Sequence, residues 1–134
     1  MTVHRLSPAG LARDTPYHHV AVATGTRHVH VAGQVGQDPD GVLAEGLAGQ
    51  TAQALRNVAV GLRAGGATFH DVVRLTVYVT DWEVERIADF MAGVEAVAEE
   101  VGLSLPMPAA SLIGVSTLYT PEILVEVEAT AVVD

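Results

Sequence analysis

The chain has 134 residues, 49% of them apolar, which is the size of one domain with a continuous core and too short for a cofactor domain beside a substrate domain. Its formal charge of −9 sets 16 acids against 7 arginines with no lysine, which argues against nucleic acid as a partner, because phosphate binding requires a basic surface. With neither lysine nor cysteine in the chain, Schiff-base catalysis, covalent pyridoxal phosphate, thiolate nucleophiles, disulfides and cysteine-ligated zinc are excluded.

No window approaches the ~20 continuous apolar residues of a membrane span, and the opening MTVHRLSPAG carries no apolar signal core. No membrane partner is expected, and a cytoplasmic location is. His18–Thr24 and His28–Ala32 alternate at period two around Gly25, Thr26 and Arg27, which predicts a hairpin. Gly33 to Gly41, GQVGQDPDG, concentrates glycine, proline and aspartate and predicts a loop or turn. It lacks the lysine and helix start of a phosphate loop, so its expected role is structural.

From Leu47 to Ala64, Leu47, Leu55, Val58 and Leu62 fall near a 3.6-residue period that stops at Gly65-Gly66, predicting a helix with glycine past its end. Val72–Thr80, VVRLTVYVT, is a β-branched run that predicts a strand buried on both faces. Asp81 is placed to cap a second helix, with Glu83 and Glu85 near its positive end and Val84, Ile87, Met91, Val94 and Val101 as its inward stripe. Gly102 stops it. After Pro106 and Pro108, the strands Ala110–Val115 and Ile123–Val133 close the chain, the latter alternating through Glu126 and Glu128.

The expected order is therefore β-β-α-β-α-β-β, an α+β domain with a mixed sheet and two helices on one face. Two helices cover only one face of such a sheet. With Val73, Leu75, Val77 and Val79 on one side of the third strand and Val72 and Tyr78 on the other, the uncovered face is expected to be partly apolar and to self-associate.

Five motifs in order resemble one family. Thr15-Pro16-Tyr17 resembles a Gly-Pro-Tyr segment before a strand, and Val31 to Pro39, VAGQVGQDP, is similar to "(V/F)SGQ(I/L)xxDP". Gln50-Thr51 with Asn57 resembles "QTxQALxN", Val73 to Asp81 resembles "VKTTVFLTD", and Pro108 to Val115 with Leu124 to Ala129 resembles "PARSxVGV…LVEIEA". On these residues the chain is identified as a member of the RidA/YjgF (Rid) superfamily, matching as a single domain over residues 1–134. The resemblance implies a chorismate-mutase-like subunit in a homotrimer whose sheets pack into a central barrel, with small-molecule clefts at the subunit interfaces. It implies hydrolysis of imine or enamine acids such as 2-aminoacrylate to 2-oxo acids and ammonia, without metal or organic cofactor.

Carried over residue by residue, the motifs imply Glu126 as the carboxylate that handles protons through water and Tyr17 as a pocket-wall phenol. Gly33, His19, Arg74, Ala110 and Leu112 are the expected substrate-binding positions. Ala110 stands where the family motif has the arginine whose planar fork grips a carboxylate, and Leu112 stands where a cysteine or small polar residue is frequent. Both changes make the cleft more apolar, so a substrate different from 2-aminoacrylate is expected; the alternative is a trimeric ligand-binding or partner-binding module without catalysis. Arg74 aligns with a family lysine and is expected to belong to the scaffold, and Glu128 to be structural. His18 and His19 point oppositely on an extended segment, so at most one faces the cleft. His28 and His30 share a strand face without a nearby acidic third ligand, so no metal is expected. His70 is expected at the surface.

Overall fold

The computed structural model describes residues Val3–Asp134. Its strands are β1 (Val3–Leu6), β2 (Val20–Ala23), β3 (Arg27–Val35), β4 (Val72–Thr80), β5 (Ala110–Val115) and β6 (Val125–Val133), and its helices are α1 (Gly46–Ala64) and α2 (Ile87–Val101). β3, β6, β4 and β5 form a mixed sheet in that order, with β6 antiparallel to both neighbours and β4 parallel to β5. The parallel pair needs a crossover, which α2 provides.

The expected hairpin does not form. β2 pairs with β1, in register Val3 with Ala23 to Leu6 with Val20, while β3 pairs with β6. The four-residue β1 was too short to stand out by periodicity, yet it takes the ladder that β3 was expected to provide. Arg5 helps to dock this ribbon, its guanidinium donating to Phe69 O at 2.7 Å and Val72 O at 2.9 Å.

Leu55, Val58 and Leu62 of α1 and Phe90, Val94 and Val97 of α2 pack with Leu75, Val77, Val79, Val125 and Val127 of the sheet into one core. The helices come close enough at Gly93 that a Cβ there would lie 2.7 Å from Thr51 Cβ and also overlap the Ala48 carbonyl. Their solvent edge is joined by Arg56 and Glu100, with Nε donating to Oε2 at 2.8 Å and a second N–H to Oε1 at 3.3 Å.

α2 departs from expectation at its start. A 3₁₀ turn, Val84–Arg86, precedes it, and Arg86 occupies its N-cap position without a side-chain cap bond. Asp81 has φ 49° and turns the chain, while Arg86 donates to the Thr80 and Asp81 carbonyls at 2.5 and 3.2 Å. The inward stripe runs through Phe90, Gly93, Val94, Val97 and Ala98; Val84 is 71% and Ile87 39% exposed.

β4 is buried on one side up to Tyr78, with Thr80 at its end also buried. Its register with β6 shifts between Val72 and Arg74, which puts Val72 among the buried residues together with Leu75, Val77 and Val79 and leaves Val73 half-buried. The face away from the helices carries Arg74, Thr76 and Tyr78 on β4 beside Thr130, Glu128 and Glu126 on β6, and on β5 the 44% exposed Ile113, paired with Tyr78. The shift places Val72 in the core, so this face carries less valine than the periodicity predicted.

Candidate functional site

The family-like motifs hold backbone in place. Gln50, 3% exposed on α1, donates from Nε2 to Glu122 O at 3.0 Å and accepts from Leu124 N at 2.8 Å, fixing the segment that leads into β6. About two turns further along α1, Asn57 donates to Val35 O at 2.9 Å and Gln37 O at 2.8 Å, fixing the end of β3. Asp38 Oδ1 accepts from Asp40 N and Val42 N, each at 2.9 Å, the side-chain-closed turn that Asp favours. Gly33 to Gly41 is accordingly the end of β3 followed by this turn.

The expected site residues lie on three separate surfaces of the chain. The first is an apolar cleft of about 90 Å3 on the helix side of β5, lined by Tyr17, Ala110 and Leu112 together with Ile87, Phe90 and Met91. Tyr17 is held there by the main chain around it, since Met107 N donates to Pro16 O at 2.7 Å and His18 N to Met107 O at 2.8 Å. Thr15 Oγ1 donates to Tyr17 O at 2.7 Å. His19 stands edge-on to the Tyr17 ring, centroids 5.3 Å apart, and its Nε2 lies 2.8 Å from Ala12 O. His18 lines a different groove with Arg13 and Pro106.

The second surface, a groove of about 560 Å3, is lined by Gly33, Val35, Tyr119, Thr120, Ile123 and Glu126. The β3–β6 ladder is irregular between Val31 and Gln34, and Gly33 leaves room for the Glu126 side chain to lie across the strand. A Cβ at position 33 would sit 2.6 Å from Glu126 Cδ and overlap its carboxylate.

The third surface, on the open face of the sheet, is a hollow of about 460 Å3 lined by His30, Arg74, Thr76, Glu128 and Thr130. Arg74 donates to Ser111 Oγ at 2.5 Å and Tyr78 donates to Glu128 at 2.9 Å. Accepting that hydrogen bond, the Glu128 carboxylate pushes the Tyr78 phenol above its ordinary pKa. His28 and His30 stack 6.2 Å apart, and among the described residues no cluster of three or more metal-ligating side chains occurs.

Register explains the separation. Ala110 and Leu112 are paired with Leu75 and Val77, whose side chains face the helices, whereas Glu126 is paired with Tyr78 on the opposite row. Within one chain, the carboxylate and the Tyr17 cleft therefore lie on opposite faces of one sheet. The sequence reading missed Ile87, Phe90 and Met91 as cleft residues; it placed Ile87 and Met91 in the helix stripe, and a stripe does not tell which of its residues border an open space.

The fold is that of an α+β domain of the chorismate-mutase-like class. A Rid-family protein of unknown function from Yersinia pestis superposes with a TM-score of 0.86 at 36% identity, covering 99% of this chain and 100% of that one. The YjgF gene product of E. coli gives 0.68 at 27% identity over 96% of this chain and 92% of that one. The family model described as Endoribonuclease L-PSP matches residues 8–133. A RutC family protein of Pyrococcus horikoshii is 37% identical over 103 residues, 75% of each chain. Human 2-iminobutanoate/2-iminopropanoate deaminase is 37% identical over 57 residues, 41% of this chain and 42% of that one. The chain belongs to the RidA/YjgF superfamily. No helix among the described residues is long and apolar enough to cross a membrane.

Proposed function

We propose that this chain is a cytoplasmic, homotrimeric hydrolase of imine- or enamine-type small molecules, with a substrate preference different from 2-aminoacrylate. The observation that carries the reading is the division of its site residues between opposite sheet faces. A cleft between two copies would join Tyr17, Ala110 and Leu112 of one to Gly33 and Glu126 of the next. The deaminase name of the human relative supports the reaction type. The acidic balance of the chain supports a small molecule over the RNA that the family model's description suggests.

In this reaction water adds to the C=N carbon. The Glu126 carboxylate, which accepts no hydrogen bond among the described residues, takes a water proton and returns it to nitrogen, giving a carbinolamine; it then moves the hydroxyl proton to nitrogen as the C–N bond breaks, giving a carbonyl product and ammonia. Water and one carboxylate suffice, and no cofactor is called for. Tyr17, oriented by His19, walls the ligand and offers a hydroxyl. Arg74 is spent on Ser111 across the sheet, so alanine at 110 leaves the cleft without a carboxylate clamp. That lack favours a second reading, a trimeric ligand- or partner-binding module.

The test is hydrolysis of imines released by a flavin amine oxidase or an amino-acid oxidase, read as the loss of semicarbazide-trappable imine. Turnover by wild type with a fall of about 100-fold or more in Glu126→Gln is expected. Turnover unchanged in that variant contradicts the role of Glu126, and no turnover of any imine favours the binding module.

A further inference from the structure

Ile87 and Met91, one turn apart on α2, are apolar side chains that the core leaves partly uncovered. Phe90, Val94 and Val97 seal the helix against α1 and the sheet, while Ile87 remains 39% exposed and Met91 half-buried, both on the wall of the Tyr17 cleft. Opposite them stand Ala110 and Leu112. The polar residues of that wall are Tyr17 and Ser111, and the Ser111 hydroxyl is engaged by Arg74 on the other side of the sheet.

The arginines are committed elsewhere. Arg5 is bound to the Phe69 and Val72 carbonyls, Arg27 to the Asp134 carbonyl, Arg56 to Glu100 and Arg86 to the Thr80 and Asp81 carbonyls. Arg13 lines the His18 groove, and Arg63 lies in the last turn of α1. An anion in the Tyr17 cleft would thus be desolvated without a counter-charge from its walls. An uncharged aliphatic group would meet apolar surface on both sides.

We propose that Met91, backed by Ile87, sets the length of substrate this cleft accepts, and that the substrate carries an uncharged aliphatic arm of about three carbons. The inference rests on the Tyr17 cleft being the ligand site of the proposed hydrolase. The arm length follows from volume: an apolar cavity of about 150 Å3 holds benzene, with its six carbons, and this cleft has about 90 Å3. Methionine suits the role because its unbranched thioether chain fills an irregular gap and can be shortened without adding a polar atom.

The experiment titrates straight-chain primary amides, from acetamide to octanamide, and the carboxylates of the same lengths into the full-length protein, by calorimetry or NMR. Wild-type affinity is expected to rise about fourfold per methylene as far as butanamide and then level off, with carboxylates at least tenfold weaker. Met91→Ala should carry the rise on for two or three more methylenes, and Met91→Leu should restore the wild-type limit. Absence of binding to every amide overturns the inference, as does an unchanged length limit in Met91→Ala with its fold intact by circular dichroism, or binding of carboxylates as tight as amides. Imine hydrolysis by the same samples separates the two claims. Length-limited binding without hydrolysis supports the gauge and overturns the hydrolase; hydrolysis with an unchanged length limit overturns the gauge alone.

Discussion

Replacing Gln50 by leucine tests whether the glutamine of the family-like helix motif is a clamp on the backbone that leads to Glu126. The change keeps an apolar stem of similar bulk but removes one donor and one acceptor, leaving the Glu122 carbonyl and the Leu124 N–H without their partners. Gln50 is 3% exposed, so water cannot simply replace it. An unsatisfied buried polar group costs about 1–3 kcal/mol; with Glu122 at an exposed position and the added leucine surface partly offsetting the loss, Gln50→Leu should cost about 2–4 kcal/mol. Urea unfolding at neutral pH reads this directly, because a slope of about 1–3 kcal/mol per molar turns it into a midpoint shift on the order of 1–2 M. The same variant should lose imine hydrolysis under native conditions, since the clamped segment carries Ile123 into the groove of Glu126. A stability change below about 0.5 kcal/mol, the range of an ordinary surface substitution, would refute the clamp.

Gly33→Ala should act on chemistry and spare the fold: the new methyl displaces the carboxylate end of a flexible side chain, so urea stability should stay within about 0.5 kcal/mol while imine hydrolysis falls. Retained hydrolysis would show that the resting position of Glu126 is immaterial. Glu100→Gln should lower the urea midpoint at pH 7 by an amount that disappears in acid. Arg56, hydrogen-bonded to it, holds the Glu100 carboxyl below its ordinary pKa, so the stabilisation is present above the unfolded value and is lost as pH falls through the lowered one. A difference that persists in strong acid would contradict this assignment, and so would one insensitive to salt.

The elements with strong periodicity were legible before any coordinates. α1 begins at Gly46 where Leu47 was expected and ends at Ala64 as expected, while β4 and β5 have the expected bounds; β-branched runs and a glycine-terminated apolar stripe carry that information locally. What escaped depends on partners distant in sequence. β2 looked like half of a hairpin because its neighbour β3 lies next in the chain, whereas its ladder partner is the four-residue β1 at the other end of a long loop. The register shift at Val72–Arg74 brought Val72 into the core row, where strict alternation had put it on the opposite face.

The candidate site was legible as a set of residues and not as an arrangement. Tyr17, Ala110 and Leu112 do share one cleft, and Gly33 does lie under Glu126. The sheet face to which each group belongs follows from strand pairing, which no local pattern encodes, so their separation within one chain was not foreseen. Ile87 was expected in the inward stripe and is 39% exposed, because a helix stripe gives no sign of whether its first turn is covered; Met91 packs against the core as well as lining the cleft.

The central claim is that alanine at 110 determines which molecules this cleft accepts, and the most direct measurement compares wild type with Ala110→Arg on two imines of equal chain length, one carrying a carboxylate beside the C=N carbon and one uncharged. A restored charge-assisted pair contributes about 1.5–3 kcal/mol per hydrogen bond, so the variant should gain at least tenfold in kcat/KM on the carboxylate-bearing imine while losing the uncharged one. Wild type already turning over the carboxylate-bearing imine as fast as the variant does would contradict the account and return the chain to ordinary imino-acid deamination.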